Sequence, residues 1–293
     1  MESSNPVFRN AGGFNGKATR NAYGNTTYPA SGMTYPAYGT GSRGTSGYDT
    51  NAGIPPTMVD RGRMTIDTVV QKTGFTLGLL VLAAAATWLL TGDPTGSGAD
   101  SQGAARNLYV LAMVGALGGF GLSMVNSFKR VASAPLVLAY AVLEGVFIGA
   151  MSKVFDAMFG GGIILGAVLG TVAAFAGTLA AYKFFDIKVG AKFRRWVIGA
   201  MFGFVAVSLL DLVLSFFGSS FGFNGLGPIG LISSVIGLGI GVLMLILDFD
   251  YVERGVAAGL PEQESWRAAF GLTVTIVWIY IELLRILAIL RGN

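Results

Sequence analysis

Five acidic side chains lie inside or at the edge of long apolar stretches. They are Glu144, Asp211, Asp248, Asp250 and Glu282. A charge at the centre of a bilayer costs at least about 2.5 kcal/mol, so such residues are functional candidates by default. The chain has no Cys and no His, which excludes thiolate chemistry and removes the usual side chain for pH sensing near neutrality. Proton or cation chemistry at these positions must therefore use carboxylates.

Asp248 and Asp250 end the apolar run in "LMLILDFDYVERG", residues 243–255. On a helix, residues two apart point about 200° from each other, so one acid is expected to face the bundle interior and the other the surface. Polar residues at a helix end need no functional explanation. Negative charge at that end nevertheless opposes the helix dipole, which favours a functional role for at least one of the two.

The other acids leave two interpretations open. Glu144 lies near the middle of its apolar stretch, which suits either a cation pathway or a buried structural hydrogen bond. Asp211 shares a helix face with two serines, either as one wall of an aqueous passage or as a set of interhelical hydrogen bonds. Glu282 and Arg285 are spaced for an ion pair within one helix, with a structural or a gating role.

The surrounding chain has the composition of a membrane protein. Of its 293 residues 53% are hydrophobic and 12% are charged, whereas a soluble domain carries about 25% charged residues. Seven apolar stretches reach the roughly 20 residues that a membrane span needs, and lipid requires them to be helical because each backbone must satisfy its own hydrogen bonds. The predicted spans are 73–90, 104–126, 135–154, 162–182, 196–217, 229–247 (with an extension to 250 left open) and 268–290.

Residues 1–63 have a different composition, rich in Gly, Ser, Thr, Asn and Tyr, with no apolar run. Such a segment cannot bury enough surface to offset its chain entropy, so we predict a disordered cytoplasmic tail followed by a membrane domain over residues 64–293. The tail also lacks the apolar region of a signal peptide. The predicted fold class is all-α, a seven-helix transmembrane bundle preceded by a disordered tail.

Loop charge predicts the orientation of the chain in the membrane. Lys and Arg are concentrated before the first span, between the second and third spans, and between the fourth and fifth, all on one side. Because basic loops favour the cytoplasm, the N-terminus is predicted to be cytoplasmic and the C-terminus external.

Glycines four residues apart recur within the spans. The pairs are Gly115 and Gly119, Gly145 and Gly149, Gly166 and Gly170, Gly199 and Gly203, and Gly237 and Gly241. Each pair predicts a place where two helix backbones approach closely. Tight packing of the bundle is one reading, and sliding surfaces between helices are the other.

Three stretches, taken with the seven spans, resemble the Bax inhibitor-1 family, also called the transmembrane Bax inhibitor motif family. They are "APLVLAYAVLEGVFIGAMSKVF" in the third span, "LDFDYVERGV" at the end of the sixth and "VWIYIELLRILAIL" in the seventh. The resemblance covers about residues 65–291 and is to a bacterial branch with a long Gly/Tyr-rich N-terminal tail. It implies a last helix surrounded by the other six, a bacterial inner-membrane location and a pH-controlled cation leak, chiefly of calcium.

The resemblance also implies a gate in which a carboxylate at the end of helix six pairs with one in helix seven. Such a pair can titrate near neutral pH without any His, and ionisation opens the path. The first carboxylate falls at Asp250, but the second falls at Trp278, and the nearest acid is Glu282. Asp250 and Glu282 lie at different depths, which argues against a direct contact. Asp248 is the alternative partner, provided that helix six unwinds after Leu247.

The leading hypothesis is therefore a gated cation pathway with calcium as the permeant ion. Its candidate residues are Asp250, Asp248, Glu282, Glu144, Asp211 and Arg285, with transient calcium contact at Asp250 and Asp248 left open. The alternative is a regulatory protein that binds other membrane proteins, such as a membrane protease, without conducting ions. Neither an enzyme nor a bound cofactor is expected, since a Ser–His protease needs His and a retinal pump needs a lysine in the last helix. The expected partners are the lipid bilayer, cations and membrane proteins, and no nucleic acid.

Overall fold

The computed structural model describes residues 62–129, 131–185 and 187–292, together with residues 19–20 and 26–27. Strands β1 (Thr19–Arg20) and β2 (Thr26–Thr27) pair antiparallel, with Thr19 opposite Thr27. Most of the predicted disordered tail, residues 1–63, lies outside the described residues. Its boundary with the membrane domain stays a prediction.

Seven long helices form in the described part of the chain, each long and apolar enough to cross a membrane. They are α1 (Ile66–Leu90), α2 (Ala99–Phe128), α3 (Ala134–Phe159), α4 (Ile163–Phe184), α5 (Ala191–Phe216), α6 (Pro228–Ala257) and α7 (Glu264–Gly292). They contain 22 to 30 residues each, enough to span a hydrocarbon core of about 30 Å. The predicted all-α, seven-helix membrane fold is confirmed, and each helix corresponds to one predicted span.

Helix α6 stays regular beyond its acidic residues. The apolar run by itself suggests an end between residues 247 and 250, whereas α6 continues to Ala257. One reason is Arg254, which pairs with the carboxylate of Asp250 one turn earlier at 2.8 Å. The unwinding after Leu247 that would let Asp248 turn towards Asp250 is therefore wrong. Both acids lie on a regular helix and point in different directions.

Helix α7 forms the centre of the bundle. It packs directly against α1, α3, α4 and α6, while α2 lies against α3 and α5 lies against α6. Its buried residues point to several sides. Val277, Leu284 and Ala288 join a core with α1, α3 and α4, whereas Leu272 and Ile279 join a core with α1 and α6. A helix that is buried on several sides suits the centre of a bundle, and the predicted central position of the last helix is confirmed.

Four of the five glycine pairs make the close helix contacts that their spacing predicts. The pairs Gly115 and Gly119 (α2 against α3), Gly145 and Gly149 (α3 against α1), Gly166 and Gly170 (α4 against α7), and Gly237 and Gly241 (α6 against α7) lie in these contacts. The prediction for Gly199 and Gly203 is wrong. A Cβ placed at either position would meet no described atom of a neighbour within 4 Å, because α5 turns this exposed face away from the bundle.

Residues 62–64 form a strap that ties the start of α1 to the turn between α6 and α7. The N–H of Met64 donates to the carbonyl of Leu260, and the N–H of Glu262 donates to that of Gly62, both at 2.7 Å. The Met64 side chain is 1% exposed and packs in the core that α1, α6 and α7 share. We call the side of the bundle that carries this N-terminal strap the N-terminal face, and the other side the opposite face.

Candidate functional site

A stripe of small and polar residues follows α7 on the side that faces α6. Its members are Gly271, Thr275, Trp278, Glu282 and Arg285, separated in turn by four, three, four and three residues. This spacing places all five on one helix face. The facing side of α6 carries Ser234, Gly237, Gly241 and Asp248, which contact the stripe. We call this contact the polar seam.

The end of the polar seam nearest the opposite face holds a buried ion pair. Arg285 donates to Glu282 at 3.2 Å, and both side chains are largely buried. Arg285 also donates to the carbonyls of Phe223 (2.9 Å) and Gly225 (3.4 Å) in the loop between α5 and α6. The predicted ion pair within one helix is thus present. It ties the last helix to this loop and closes the seam at this end.

Glu282 lies directly against the backbone of α6. A Cβ at Gly237 would come 2.6 Å from a carboxylate oxygen of Glu282 and 2.9 Å from the Phe204 ring of α5. Only a residue without a side chain leaves room for the carboxylate here. The Gly237 and Gly241 pair therefore serves a polar contact as well as helix packing.

The middle of the polar seam is filled by an indole ring. The Nε1–H of Trp278 donates to the carbonyl of Gly237 at 2.9 Å. The ring also packs on Phe204 of α5, with the two ring centroids 5.4 Å apart. Along α7 this ring lies between Thr275 and Glu282, so it separates the polar groups at the two ends of the seam.

The end of the seam at the N-terminal face is built around Asp248. Its carboxylate accepts a hydrogen bond from the hydroxyl of Thr275 at 2.6 Å. It also lines a cavity of about 310 Å³ between the end of α2 and the facing turns of α6 and α7. The lining residues are Asn126, Ser127, Ala132, Asp248, Tyr251, Arg267, Ala268, Phe270 and Gly271. Asp248 is therefore the acid that faces the bundle interior.

Asp250 faces α5 and is held by two arginines. Arg194, at the start of α5, donates to one carboxylate oxygen at 3.0 Å, and Arg254 donates to the other at 2.8 Å. Arg254 also donates to the carbonyl of Val189, before α5, at 2.5 Å. Asp250 is 5% exposed. Two arginines balance its negative charge, and its carboxylate is not paired with a second acid.

Asp250 and Glu282 do not meet, as their predicted depths require. Glu282 lies against Gly237, 13 residues before Asp250 on α6, which corresponds to about 20 Å along the helix. Asp248 is likewise turned away from Asp250, towards Thr275. The described residues therefore contain no pair of these three acids in contact.

Glu144 lies outside the polar seam. It is partly buried on α3, where its side chain interacts with the hydroxyl of Tyr140 one turn earlier. A Cβ at Gly119 of α2 would come 2.8 Å from its carboxylate. Glu144 therefore faces the α2–α3 contact, which has its own glycine pair.

Asp211 holds the loop between α5 and α6. Its carboxylate is 2% exposed and accepts the backbone N–H groups of Phe221 (2.9 Å) and Asn224 (2.8 Å). Ser208, one turn earlier, donates to the side chain of Asn224 at 2.6 Å. Between the two sequence alternatives, this geometry favours structural hydrogen bonding. The same loop supplies the carbonyls that bind Arg285.

The sequence interpretation missed four of the residues that build the site, which are Thr275, Trp278, Arg194 and Arg254. Thr275 and Trp278 carry a signal that was available, since they continue the spacing of Glu282 and Arg285 along α7. Arg194 lies 56 residues from Asp250, and nothing local indicates that pairing. Within the described residues no group of three or more His, Cys, Asp or Glu could hold a metal ion. Calcium contact at the two α6 acids stays a prediction.

The fold and the seam define a multi-pass membrane protein with a polar contact through its helical core. The family model for "Bax inhibitor 1 like" proteins matches residues 5–292, and the chain belongs to this family. This match begins well before residue 65, the approximate start of the resemblance described above. An uncharacterized protein of Chlamydia muridarum (strain MoPn / Nigg) is 30% identical over 204 residues, which cover 66% of this chain and 83% of the relative.

Proposed function

We propose that the protein is a cation leak pathway, chiefly for calcium, in which ions follow the polar seam between α6 and α7. The observation that carries the proposal is the seam itself. It places Asp248 in a cavity at the N-terminal face, Glu282 near the opposite face, and Thr275 and Trp278 between them. Ionisable residues inside a membrane span are rare and costly, so their alignment along one helix contact supports a pathway.

Asp248 is the proposed entry site for the ion. A carboxylate and a hydroxyl are oxygen ligands of the kind that calcium prefers. The carboxyl attracts a cation only after it has lost its proton, so the flux is expected to rise as the pH rises. Tyr251 and Arg267 also line this cavity, and Glu264 interacts with both. The charge of Arg267 is thereby partly balanced, which leaves Asp248 as the attractive charge.

The conformation described here corresponds to a closed pathway. Trp278 fills the seam, and the Glu282–Arg285 pair blocks its far end. Opening requires α5 to move, because Phe204 of α5 presses on the Trp278 ring. Among the described helices α5 has backbone contact with α6 alone. The proposed latch is Asp250, which fastens the start of α5 through Arg194.

We also propose a bacterial inner-membrane location with a cytoplasmic N-terminal face. Support comes from the basic residues on that face, among them Arg63, Lys72, Lys129, Lys183, Lys188, Lys192, Arg194, Arg195, Arg254 and Arg267. Fewer basic side chains of the described helices lie towards the opposite face, namely Arg106, Lys153, Arg285 and Arg291. This asymmetry is the one that orients membrane proteins. The protein would act without an enzymatic reaction or a bound cofactor.

The test is calcium entry into dye-loaded liposomes that contain the purified protein alone, between about pH 5 and about pH 8, where a perturbed carboxyl can titrate. The proposal requires protein-dependent flux that increases with pH. Glu253→Gln is the control for loss of a carboxyl on the same face of the bundle but outside the cavity. Glu253 is exposed there and accepts a hydrogen bond from Tyr182. Absence of flux from the wild-type protein at every pH would contradict the proposal and would favour the regulatory alternative.

A further inference from the structure

A groove opens between α1 and α2 on the outside of the bundle. Both helices pack against α3, but within the described part of the chain they make no close backbone contact with each other. The space between them is a cavity of about 590 Å³, which is within the range of small-molecule sites. Its apolar lining includes Ala86 and Leu90 of α1, Val110 and Leu111 of α2, and Val142 and Val146 of α3. We call this cavity the lateral groove.

The lateral groove runs from the opposite face into the hydrocarbon region of the membrane. It follows α1 from Leu90 back to Ala83, about 10 Å along the helix, whereas one leaflet contributes about 15 Å of hydrocarbon. Its walls at Val110 and Val142 are 53% and 39% exposed, so the groove opens sideways. In a membrane span this side faces lipid, and the apolar part of the groove suits an acyl chain.

Asn107 places a polar group in the wall of the lateral groove. Its side chain is exposed, lines the cavity and forms no hydrogen bond with any other described residue. It shares one face of α2 with Val110 and Leu111, three and four residues later. An amide that faces hydrocarbon without a hydrogen-bond partner is unfavourable. An occupant that carries a hydrogen-bond acceptor at this level would remove that cost.

Arg106 adds a positive charge at the same end of the groove. Its side chain is exposed and has no ion-pair partner among the described residues. It precedes Val110 by one turn, which places it at the edge of the groove wall. The 30 residues of α2 extend over about 45 Å, about 15 Å more than the hydrocarbon core. Arg106 is close to the start of this helix and therefore near headgroup level, where a guanidinium suits a phosphate.

We propose that the lateral groove binds one phospholipid from the leaflet at the opposite face. An acyl chain lies against Val110 and Val142, and an ester carbonyl accepts a hydrogen bond from the amide of Asn107. The phosphate pairs with Arg106. The order of these groups along the groove, from charged through polar to apolar, is the order of the same groups in a phospholipid.

Lys153 does not take the place of Arg106. It is the basic residue of α3 near the opposite face, but its ammonium group donates to the carbonyls of Trp88 and Thr91 at the end of α1 and to the Thr91 hydroxyl. Its three N–H donors are therefore in use. Arg106 is left as the residue for the phosphate.

Binding in the lateral groove does not depend on ion conduction, so it is tested without measuring flux. The purified protein is supplied with phosphatidylglycerol in detergent, and the retained lipid is counted by native mass spectrometry. We expect one retained lipid per wild-type chain. Ala86→Trp fills the groove and should lower the retained fraction by at least about tenfold, since the acyl chain loses its apolar contacts. Ala85→Trp is the matched control, because Ala85 is also exposed on α1 but does not line the groove.

The two polar contacts are tested separately. Asn107→Leu should weaken retention by about 2- to 10-fold, the range that one hydrogen bond accounts for. Arg106→Gln should remove the preference for phosphatidylglycerol over diacylglycerol, which has the same chains and no phosphate. Arg291→Gln is the charge control, because Arg291 lies near the same face and donates to the carbonyl of Gly161, outside the groove.

Three results would overturn the proposal. They are a wild-type protein that retains no lipid, equal retention by Ala86→Trp and Ala85→Trp, and an unchanged preference for phosphatidylglycerol in Arg106→Gln. A wild-type dimer that Ala86→Trp makes monomeric would also overturn it, because the groove would then be an interface between two copies of the chain. A folded state of each variant is verified by its unfolding midpoint.

Discussion

Asp248 and Asp250 stand two residues apart on α6 and serve different contacts. Asp248 accepts the hydroxyl of Thr275 on α7 at 2.6 Å, whereas Asp250 is held by Arg194 of α5 at 3.0 Å. The first acid lies in the polar seam and lines the cavity at the N-terminal face. The second fixes the position of a peripheral helix. In the proposed pathway one acid attracts the ion and the other controls access to it.

Loss of the latch should increase the leak. Asp250→Asn removes the charge that holds Arg194 and Arg254, which leaves α5 with a weaker attachment. Because both arginines are about half exposed, the loss is expected to be about 1–2 kcal/mol. Calcium flux into liposomes should rise by about 5- to 30-fold, and it should keep its dependence on pH because Asp248 is unchanged.

Neighbouring arginines provide the control for this prediction. Arg194→Gln should raise the flux as Asp250→Asn does, whereas Arg195→Gln should not. Arg195 is exposed and donates to the carbonyl of Ala191 in its own helix. Equal flux from the two arginine variants would show that the Asp250–Arg194 contact has no part in gating.

The indole ring is expected to obstruct the seam. Trp278→Leu removes the hydrogen bond to the carbonyl of Gly237 and the contact with Phe204. The variant should show a several-fold increase in flux at every pH. Trp196→Ala serves as the comparison, because Trp196 is 79% exposed on α5. Unchanged flux from a folded Trp278→Leu variant would place the ion path elsewhere.

Because α6 and α7 approach closely at Gly237, this position should not tolerate a side chain. Gly237→Ala places a methyl group 2.6 Å from Glu282 and 2.9 Å from Phe204, and such overpacking destabilises by about 1–3 kcal/mol. Gly239→Ala is the matched control on the same helix, since a Cβ there meets no neighbour within 4 Å. Unfolding in a denaturing-detergent titration should separate the two variants. Equal stabilities would contradict the packing described here.

The N-terminal strap is expected to stabilise the ends of α6 and α7. Met64→Ala empties a position that is 1% exposed, and a buried Met→Ala change typically destabilises by about 2–5 kcal/mol. Met158→Ala should have little effect, because Met158 is 60% exposed. The same detergent titration measures both variants. A Met64→Ala variant as stable as the wild type would mean that the strap does not hold the bundle.

Most of the fold could be predicted because the bilayer restricts a spanning chain to one kind of structure. Length and apolarity located all seven helices, and the three-residue spacing of Glu282 and Arg285 was enough to predict their ion pair. The two-residue spacing of Asp248 and Asp250 likewise predicted that they would face different surroundings. These features depend on geometry within a single helix.

Contacts between helices could be predicted much less well. Glycine spacing identifies a face that can pack but not whether a neighbour is present, which is why Gly199 and Gly203 were wrongly assigned to a contact. The partners of Asp250 and Asp211 depend on how distant segments fold back, on α5 in one case and on a loop in the other. The predicted end of α6 between residues 247 and 250 is wrong, because polar residues alone do not end a helix. The Asp250–Arg254 ion pair stabilises the last turns of α6, which continue to Ala257.

The most direct test of the proposed pathway is calcium flux through Asp248→Asn in liposomes, compared with wild type from about pH 5 to about pH 8. The account predicts that wild-type flux rises with pH as the carboxyl loses its proton. Without the charge, flux at the upper end should fall by at least about tenfold, which corresponds to about 1.4 kcal/mol of lost attraction, and the pH profile should flatten. Wild-type flux and pH dependence in a folded Asp248→Asn variant would contradict the central claim that this acid admits the ion.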